Sequence, residues 1–396
     1  MTTSSAPWPS PPASLHWRLI WGVAALQAAL QLGWIAYRAF QPALLRDHGF
    51  SDLLVPFALL PGFLGLLIEP LSGALSDRRA ERTHERLLPI TVAVLVAGLL
   101  FVTAVTLLGS GQLSQAGILL PALMVAWLVA VQASSSPSLA LLQQAASLQL
   151  LPRATALLAL VQGLIGASSG VLAEAALRFG ASGTFLLGAL VLGLGLVVLR
   201  TLPRPAPTAA SSISAPPQSP PPPVERCVRL LVTALAAGVV LQVLLDGLPR
   251  VQPLGSAPVV QLCSALVAIV AGRWVSRWGR RQAFLASLAA LTVLLALALV
   301  LPAGWIPVLL PLLGCLHAIV LISLTAIALA SLPPAWSGLG AGLVLGGTGV
   351  SASVLALGFG TSGPLVAPPQ LAVLVVSGGV ALAASWGLRS ASLTAR

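Results

Sequence analysis

Five polar or amphipathic residues recur along the first long apolar stretch of the sequence. Gln27, Gln31, Trp34, Arg38 and Gln41 follow one another at steps of four, three, four and three residues. This spacing places them on one face of an α-helix. Amides, an indole and a guanidinium on one face could bind a polar small molecule, so we predict that this face lines a cavity. In the alternative interpretation the glutamines bond neighbouring helices and Arg38 extends to the polar boundary.

Isolated polar residues in other apolar stretches extend this candidate site. His317 lies midway along one stretch, where a neutral imidazole could bind a solute or accept a proton. A histidine that only bonds a neighbouring helix is the alternative. Gln132, Gln162 and Gln242 are weaker candidates of the same kind, and together these side chains predict a cavity between helices.

Three acidic residues inside apolar stretches are candidates for ion coupling. Glu69 precedes Pro70 and lies deep enough to need a partner. It either carries a coupling proton or pairs with a loop arginine, and the sequence leaves both open. Glu174 and Asp246 lie near stretch ends, where rim charges are the favoured interpretation.

The composition identifies lipid as the main solvent of the chain. Only 7% of the residues are charged, 57% are hydrophobic, and the mean hydropathy is +0.99. Apolar runs of 18 or more residues recur, and such runs are typical of helices that cross a bilayer. The four histidines are scattered and the three cysteines widely spaced, so we expect no enzyme site, no metal site and no cofactor.

The net charge of +11 does not indicate a nucleic-acid partner. All twenty basic residues are arginines, and they gather in loops at alternate ends of the apolar runs. The loops of the opposite side hold only Arg46, Arg178 and Arg250. This asymmetry follows the positive-inside rule and predicts a multi-pass protein of the cell (inner) membrane with both termini cytoplasmic.

Counting about 20 residues per span predicts an all-α membrane protein of about twelve helices. The predicted spans are 18–44, 52–75, 87–109, 117–142, 154–176, 182–200, 229–247, 256–275, 282–302, 306–330, 338–360 and 370–389. We predict that the chain divides into five parts: a cytoplasmic tail at 1–17, a six-helix bundle at 18–200, a Pro-rich cytoplasmic linker at 201–228, a second six-helix bundle at 229–389 and a cytoplasmic tail at 390–396.

Two copies of one short pattern, half a chain apart, follow the second span of each half. The letters GALSDR begin at Gly73, and GRWVSRWGRR begins at Gly272, 199 residues later in a chain of 396. Together they resemble the loop motif between the second and third helices in each half of the major facilitator superfamily. The first copy lacks the Gly-Arg-Arg tail, and the second has Ser276 in place of the acidic residue.

The resemblance implies two six-helix bundles with a cavity between them and a gate at the cytoplasmic end. In that family the motif's aspartate meets the positive N-terminal end of a helix from the other half, and its arginine helps to hold the gate closed. Carried onto this chain, the gate residues are Gly73, Asp77 and Arg78, with Gly272, Arg277, Gly279, Arg280 and Arg281 as the weaker counterpart.

The expected function is secondary active transport of a small solute by alternating access. The sequence leaves open whether transport is coupled to protons or to another cation. The stretch from Ile68 to Asp77, with Pro152-Arg153-Ala154, is loosely similar to glycoside and sucrose cation symporters. The expected partners are the solute, a co-transported cation and the lipid bilayer, with the chain as a monomer. The alternative is a non-transporting assembly factor of the same fold that delivers a pigment or complex.

Overall fold

The computed structural model describes residues 15–83, 86–110, 119–202, 220–251, 256–360 and 367–386. The predicted tails at 1–17 and 390–396 and the linker at 201–228 lie wholly or largely outside these residues. The limits drawn for tails, linker and bundles therefore stay predictions.

Twelve helical segments follow one another along the described residues. They are α1 Trp17–Asp47, α2 Leu54–Thr83, α3 Leu87–Ser110, α4 Leu119–Ala140, α5 Leu151–Ala167 continued by Ser169–Phe179, α6 Ala181–Thr201, α7 Val224–Gln242 continued to Val251, α8 Ser256–Trp278, α9 Arg280–Val300, α10 Ile306–Ser331, α11 Ser337–Phe359 and α12 Ala367–Trp386. The predicted spans overlap these segments in order, one for one.

Length and composition identify these segments as membrane spans. Ten helices are long and apolar enough to cross a bilayer, and the two parts of α5, bent by 56°, pass the same test together. The twelfth segment contributes a shorter apolar stretch, Leu371–Ser385. The prediction of an all-helical membrane protein with about twelve spans is therefore confirmed.

The helices form two bundles with separate hydrophobic cores. One core is drawn mainly from α1, α3, α4 and α6, with Leu26, Ile90 and Trp127 among its buried side chains. The other is drawn from α7, α9 and α10, with Val240 and Leu288. A lipid solvent gives no hydrophobic drive between helices, so close packing within each bundle holds it together.

Every third helix exposes a row of large apolar side chains. Leu99 on α3, Leu190 on α6, Val293 on α9 and Val376 on α12 are each more than three-fifths exposed. Leucine and valine side chains can face lipid acyl chains without a free-energy cost, whereas strongly polar side chains there would destabilise the protein. These four helices therefore present apolar surface to the lipid, as do parts of α2, α5, α8 and α10, where Leu67, Val171, Leu266 and Val308 are equally exposed.

Small residues bring the bundles together along two helix pairs. In the first pair, a Cβ atom built on Gly73 of α2 would lie 2.1 Å from the carbonyl oxygen of Gly338 on α11, and one on Gly342 would lie 2.3 Å from that of Glu69. In the second, a Cβ on Gly272 of α8 would lie 2.5 Å from the Cβ of Ala156 on α5. Only glycine permits backbones to approach this closely.

Candidate functional site

A cavity of about 390 Å³ lies between the two bundles, enclosed by α1, α2, α4, α7 and α11. Its wall runs from Phe57, near the start of α2, to Glu69, about halfway along that helix. On α11, which runs the opposite way, it extends to Phe359 at the end of the helix. The cavity therefore opens at the end of the molecule opposite the two gate motifs.

Seven of the candidate residues singled out from the sequence line this cavity. From the cavity set they are Trp34, Arg38, Gln132 and Gln242, and from the coupling set Glu69 and Asp246. Gln41, the last member of the polar face of α1, lines it as well. The topology thus brings together residues that lie more than 200 positions apart in the sequence.

Four other predicted cavity residues are not part of its wall. Gln27 donates from Nε2 to Ser138 Oγ of α4 at 2.8 Å, and His317 is buried with Nδ1 3.0 Å from Ser264 Oγ of α8. Gln31 and Gln162 are half-buried elsewhere between helices. Gln27 and His317 thus each contact a neighbouring helix, as the alternative interpretation expects. Their part in solute binding stays a prediction.

The charges of the cavity are concentrated at its mouth. The exposed guanidinium of Arg38 lies over the Trp34 ring, 5.8 Å from its centroid. The Asp246 carboxylate accepts a hydrogen bond from Gln242 Nε2. Arg250 donates from Nη1 to the carbonyl oxygen of Gly360 at 3.1 Å. Arg38 forms no ion pair among the described residues, so its charge is available to an anion that enters.

Deeper in the cavity, three lining residues carry buried oxygen atoms without a hydrogen bond to any described residue. These atoms are the Tyr37 hydroxyl, Gln132 Oε1 and Glu69 Oε2. The amide orientation of Gln132 is fixed, because its Nε2 donates to the carbonyl oxygen of Pro61 at 2.7 Å. Buried polar atoms in proteins nearly all have partners. A cluster of such atoms around one cavity is typical of a site that binds polar groups.

An aromatic cluster supports one wall of the cavity, which Trp34 and Tyr37 line with Trp127 and Phe101 packed behind them. Tyr37 stacks on Trp127 with centroids 4.9 Å apart, and Trp34 meets Trp127 edge-on at 5.6 Å. Phe101 stacks on another side of Trp127 at 4.8 Å. Aromatic pairs of this kind hold their rings in fixed positions. The cluster therefore positions Tyr37 and Trp34, and through Trp34 also Arg38.

The sequence did not predict a change of helix type in α7. Residues Val243–Gly247 form a π-helical turn, and Gln242, Asp246 and Gly247 line the cavity beside it. Short π-helical turns inside α-helices are frequent at functional sites. The same turn brings Arg250 to the mouth. Sequence reasoning also missed Tyr37, although it directly precedes Arg38.

At the other end of the molecule, the bundles meet around Asp77. This buried carboxylate accepts a hydrogen bond of 2.9 Å from the backbone N–H of Leu339, in the first turn of α11. Arg86, just before α3, lies with Nη2 3.5 Å from Asp77 Oδ1 and donates to Ser337 Oγ at 2.9 Å. Arg78 lies over the Trp336 ring at 5.9 Å. The residue that bridges Asp77 to α11 is therefore Arg86, which sequence reasoning did not select.

The counterpart motif in the second bundle makes a different set of contacts. Ser276, at the position equivalent to Asp77, bonds back to its own helix at the carbonyl oxygen of Gly272. Gly279 has φ +93°, a left-handed conformation that favours glycine and turns the chain into α9. Arg280 donates from Nη1 to the carbonyl oxygen of Leu148 at 3.2 Å. Arg277 is exposed, and Arg281 lies in the first turn of α9.

Two further expectations concern groups away from this site. Glu174 is exposed and pairs with Arg178 one turn along α5, at 2.6 Å, and it is not among the residues that line the cavity. Among the described residues, no group of three or more His, Cys, Asp or Glu side chains could hold a metal ion.

Three solved structures are similar to the whole architecture. The human organic anion transporter MFSD10 (TETRAN) superimposes with a TM-score of 0.70 at 16% identity, covering 96% of this chain and 100% of that one. The E. coli fucose:proton symporter FucP gives 0.60 at 10%, covering 94% and 98%. The nucleoside transporter NupG gives 0.54 at 12%, covering 93% and 98%.

By sequence alone, no protein-family model and no curated protein matches the chain. The likeness in structure nonetheless extends over nearly the full length of all three transporters. At identities this low the likeness concerns the fold, and the chain accordingly has the fold of the major facilitator superfamily transporters.

Proposed function

We propose that the protein is a secondary transporter that moves a small organic anion across the membrane by alternating access, with a proton as the coupling ion. The observation that carries the proposal is the Arg38 guanidinium, which is exposed at the cavity mouth and forms no ion pair among the described residues. An arginine in this position suits a carboxylate, which it can bind through two parallel hydrogen bonds.

The rest of the cavity supports a small solute with both a planar part and a polar part. A volume of about 390 Å³ is at the lower end of the range for small-molecule sites. Trp34 offers an aromatic surface beside Arg38, and the buried oxygens of Tyr37 and Gln132 suit hydroxyl or amine groups. The similar MFSD10 is an organic anion transporter.

Glu69 is the candidate proton carrier. It lines the cavity about halfway along α2, and it forms no ion pair in the described parts of the chain. An unpaired buried carboxylate is costly, whereas the protonated form is tolerated. Binding and release of a proton here would change the charge of the cavity during each transport cycle. Glu174 and Asp246 are less suited, because each is exposed and already has a partner on its own helix.

The arginine distribution favours a definite orientation. The ends of α2, α6 and α8 that carry Arg82, Arg200 and Arg277 would face the cytoplasm, together with both chain termini. The cavity mouth would then face the outside of the cell (inner) membrane. A monomer has all the elements of this cavity, since both bundles belong to one chain.

A binding screen followed by a flux measurement tests the function. Purified protein is heated with benzoate, salicylate, succinate, fucose or uridine, and a compound that binds the native form raises the melting temperature. We expect the aromatic carboxylates to stabilise the wild type and to leave Arg38→Gln unchanged. Stabilisation by fucose or uridine alone would exclude the anion as substrate.

Flux in proteoliposomes separates transport from the assembly-factor alternative. A compound that binds is offered outside vesicles with an inward proton gradient, and we expect it to accumulate against its own gradient. Binding without any flux, with or without the gradient, would favour a non-transporting protein of the same fold. The three similar structures are all named as transporters, and none supports that alternative.

A further inference from the structure

A second concave surface lies on the flank of the first bundle, separate from the cavity. It is an open groove of about 1070 Å³ between α2 and α3, and α4 packs against both helices beneath it. Three arginines from the end of α2, Arg78, Arg79 and Arg82, line one part of the groove. The remaining lining is almost wholly apolar and includes Leu75, Val92, Val96, Ala126, Val129 and Ala133.

The two parts of the groove match the two environments of a membrane leaflet. Leu75, Val92 and Val96 are well exposed at a depth where the surface faces acyl chains. The three arginines are exposed in the last two turns of α2, where the span ends and the headgroup layer begins. Glu81, the acidic residue of the same turn, is not among the lining residues. The groove therefore has a basic end at headgroup level and an apolar channel below it.

We propose that this groove is a binding site for an anionic phospholipid. The lipid phosphate would bind the arginine end, because guanidinium groups match phosphate in charge and in hydrogen-bond geometry. One acyl chain would lie in the apolar channel between α2 and α3, over α4. A water-soluble phosphate compound would fill only the basic end, and a zwitterionic lipid would gain less from the arginines. The site is independent of the transported solute.

Native mass spectrometry of the purified protein in mild detergent tests the site. Phosphatidylglycerol or phosphatidylcholine with identical acyl chains is titrated in, and bound lipid is counted. We expect phosphatidylglycerol to bind the wild type more tightly. Arg79→Gln with Arg82→Gln should weaken that binding by roughly 30-fold, the effect of removing two arginines near a headgroup. Arg79→Lys with Arg82→Lys keeps the charge but loses the guanidinium geometry, so its loss of affinity should be smaller than that of the Gln pair.

A matched control removes the same charge at the same end of the molecule. Arg200→Gln with Arg273→Gln alters exposed arginines of α6 and α8, outside the groove, and should leave phosphatidylglycerol binding unchanged. In contrast, Val96→Trp fills the apolar channel, keeps all arginines and should reduce lipid binding. Melting temperatures of all variants show whether a loss of binding reflects unfolding.

Three outcomes would overturn the proposal. The first is equal binding of the two lipids to the wild type. The second is an equal loss in the control pair and in the Arg79 and Arg82 pair, which would show a diffuse charge effect. The third is a combined result: glycerol 3-phosphate displaces bound phosphatidylglycerol as well as free phosphatidylglycerol does, and Val96→Trp binds phosphatidylglycerol like the wild type. The apolar channel would then contribute nothing to binding.

Discussion

In the proposed function, Arg38 is the residue that selects the class of substrate. Replacing it by Gln removes a charge-assisted contact worth about 1.5–3 kcal/mol, so we expect the dissociation constant of a carboxylate ligand to rise about 10- to 150-fold. Arg38→Lys keeps the charge but loses the two-pronged geometry, so its effect should be intermediate. The measurement is a ligand titration followed by thermal shift.

A control for Arg38 is available on the same helix. Arg46 lies in the last turn of α1, outside the cavity wall. Arg46→Gln should therefore leave ligand affinity unchanged. An equal loss in both variants would mean that general charge at the mouth, and not a contact with Arg38, attracts the anion.

Glu69 allows a residue-level test of coupling. Gln has nearly the same shape as a protonated Glu, so Glu69→Gln should preserve binding and exchange of labelled for unlabelled substrate across the membrane. It should abolish accumulation driven by a proton gradient, because no proton is carried. Glu174→Gln, at the exposed pair with Arg178, serves as the control and should accumulate substrate like the wild type. Gradient-driven accumulation that survives in Glu69→Gln would exclude this residue as the carrier.

The polar face of α1 shows what sequence spacing predicts and where its prediction stops. The steps of four and three identified one face, and Trp34, Arg38 and Gln41 of that face line the cavity. Gln27 lies farther along the same face but bonds Ser138 of α4 instead. Helical periodicity gives the direction of a side chain. It contains no information on how far a cavity extends along a helix of 31 residues, since tertiary contacts set that depth.

At the scale of elements, the glycines between α2 and α11 lead to a stability prediction. Alanine raises helix propensity by about 1 kcal/mol over glycine. In Gly342→Ala, however, the new Cβ would lie 2.3 Å from the carbonyl oxygen of Glu69, and relieving such a clash costs about 1–3 kcal/mol. We expect this variant to melt at a lower temperature than the wild type.

Gly358→Ala is the matched control on the same helix. A Cβ there meets nothing within 4 Å, so only the gain in helix propensity remains. This variant should melt at the wild-type temperature or above. Equal melting temperatures in the two variants would show that α11 moves away from α2 without cost, and that the close approach does not hold the bundles together.

The elements also show which features of the fold were predictable. Apolar length located all twelve segments, because a bilayer of fixed thickness sets the length of a span. The π-helical turn at Val243–Gly247 and the bend of α5 at Ser168 were not predicted. Pro249 follows the π-helical turn by two residues, and the α5 bend lies between Gly166 and Gly170. Such residues permit a break in a helix, but the packing of the neighbouring helices decides whether and where it forms. The role of Arg86 was missed for a similar reason, since its partners Asp77 and Ser337 lie on different bundles.

For the whole molecule, the closed end is asymmetric between its two halves. The first bundle holds α11 through a buried carboxylate at the positive end of the helix. The second bundle has Ser276 at the equivalent position, and among the described residues Ser276 bonds only its own helix. At this end the second bundle contacts the first through the hydrogen bond that Arg280 donates to the carbonyl oxygen of Leu148. We therefore propose that opening of this end depends mainly on Asp77. Its contacts with Leu339 and Arg86 together are worth about 2 kcal/mol by typical values for helix-end and charged contacts.

Asp77→Asn should therefore shift the population toward a state open at this end. A loss of about 2 kcal/mol changes the ratio of the two states by roughly 30-fold.

Ala352 lines the cavity, and Ala352→Cys in a chain whose three cysteines are replaced by serine provides a reporter. With Asp77 intact, we expect a membrane-impermeant thiol reagent to label it only from the side of the cavity mouth. With Asp77→Asn, labelling from the opposite side should rise at least several-fold. The comparison of right-side-out and inside-out vesicles also identifies which face of the membrane the mouth occupies. Labelling from both sides in the parent, or no change on substitution, would mean that Asp77 does not control access.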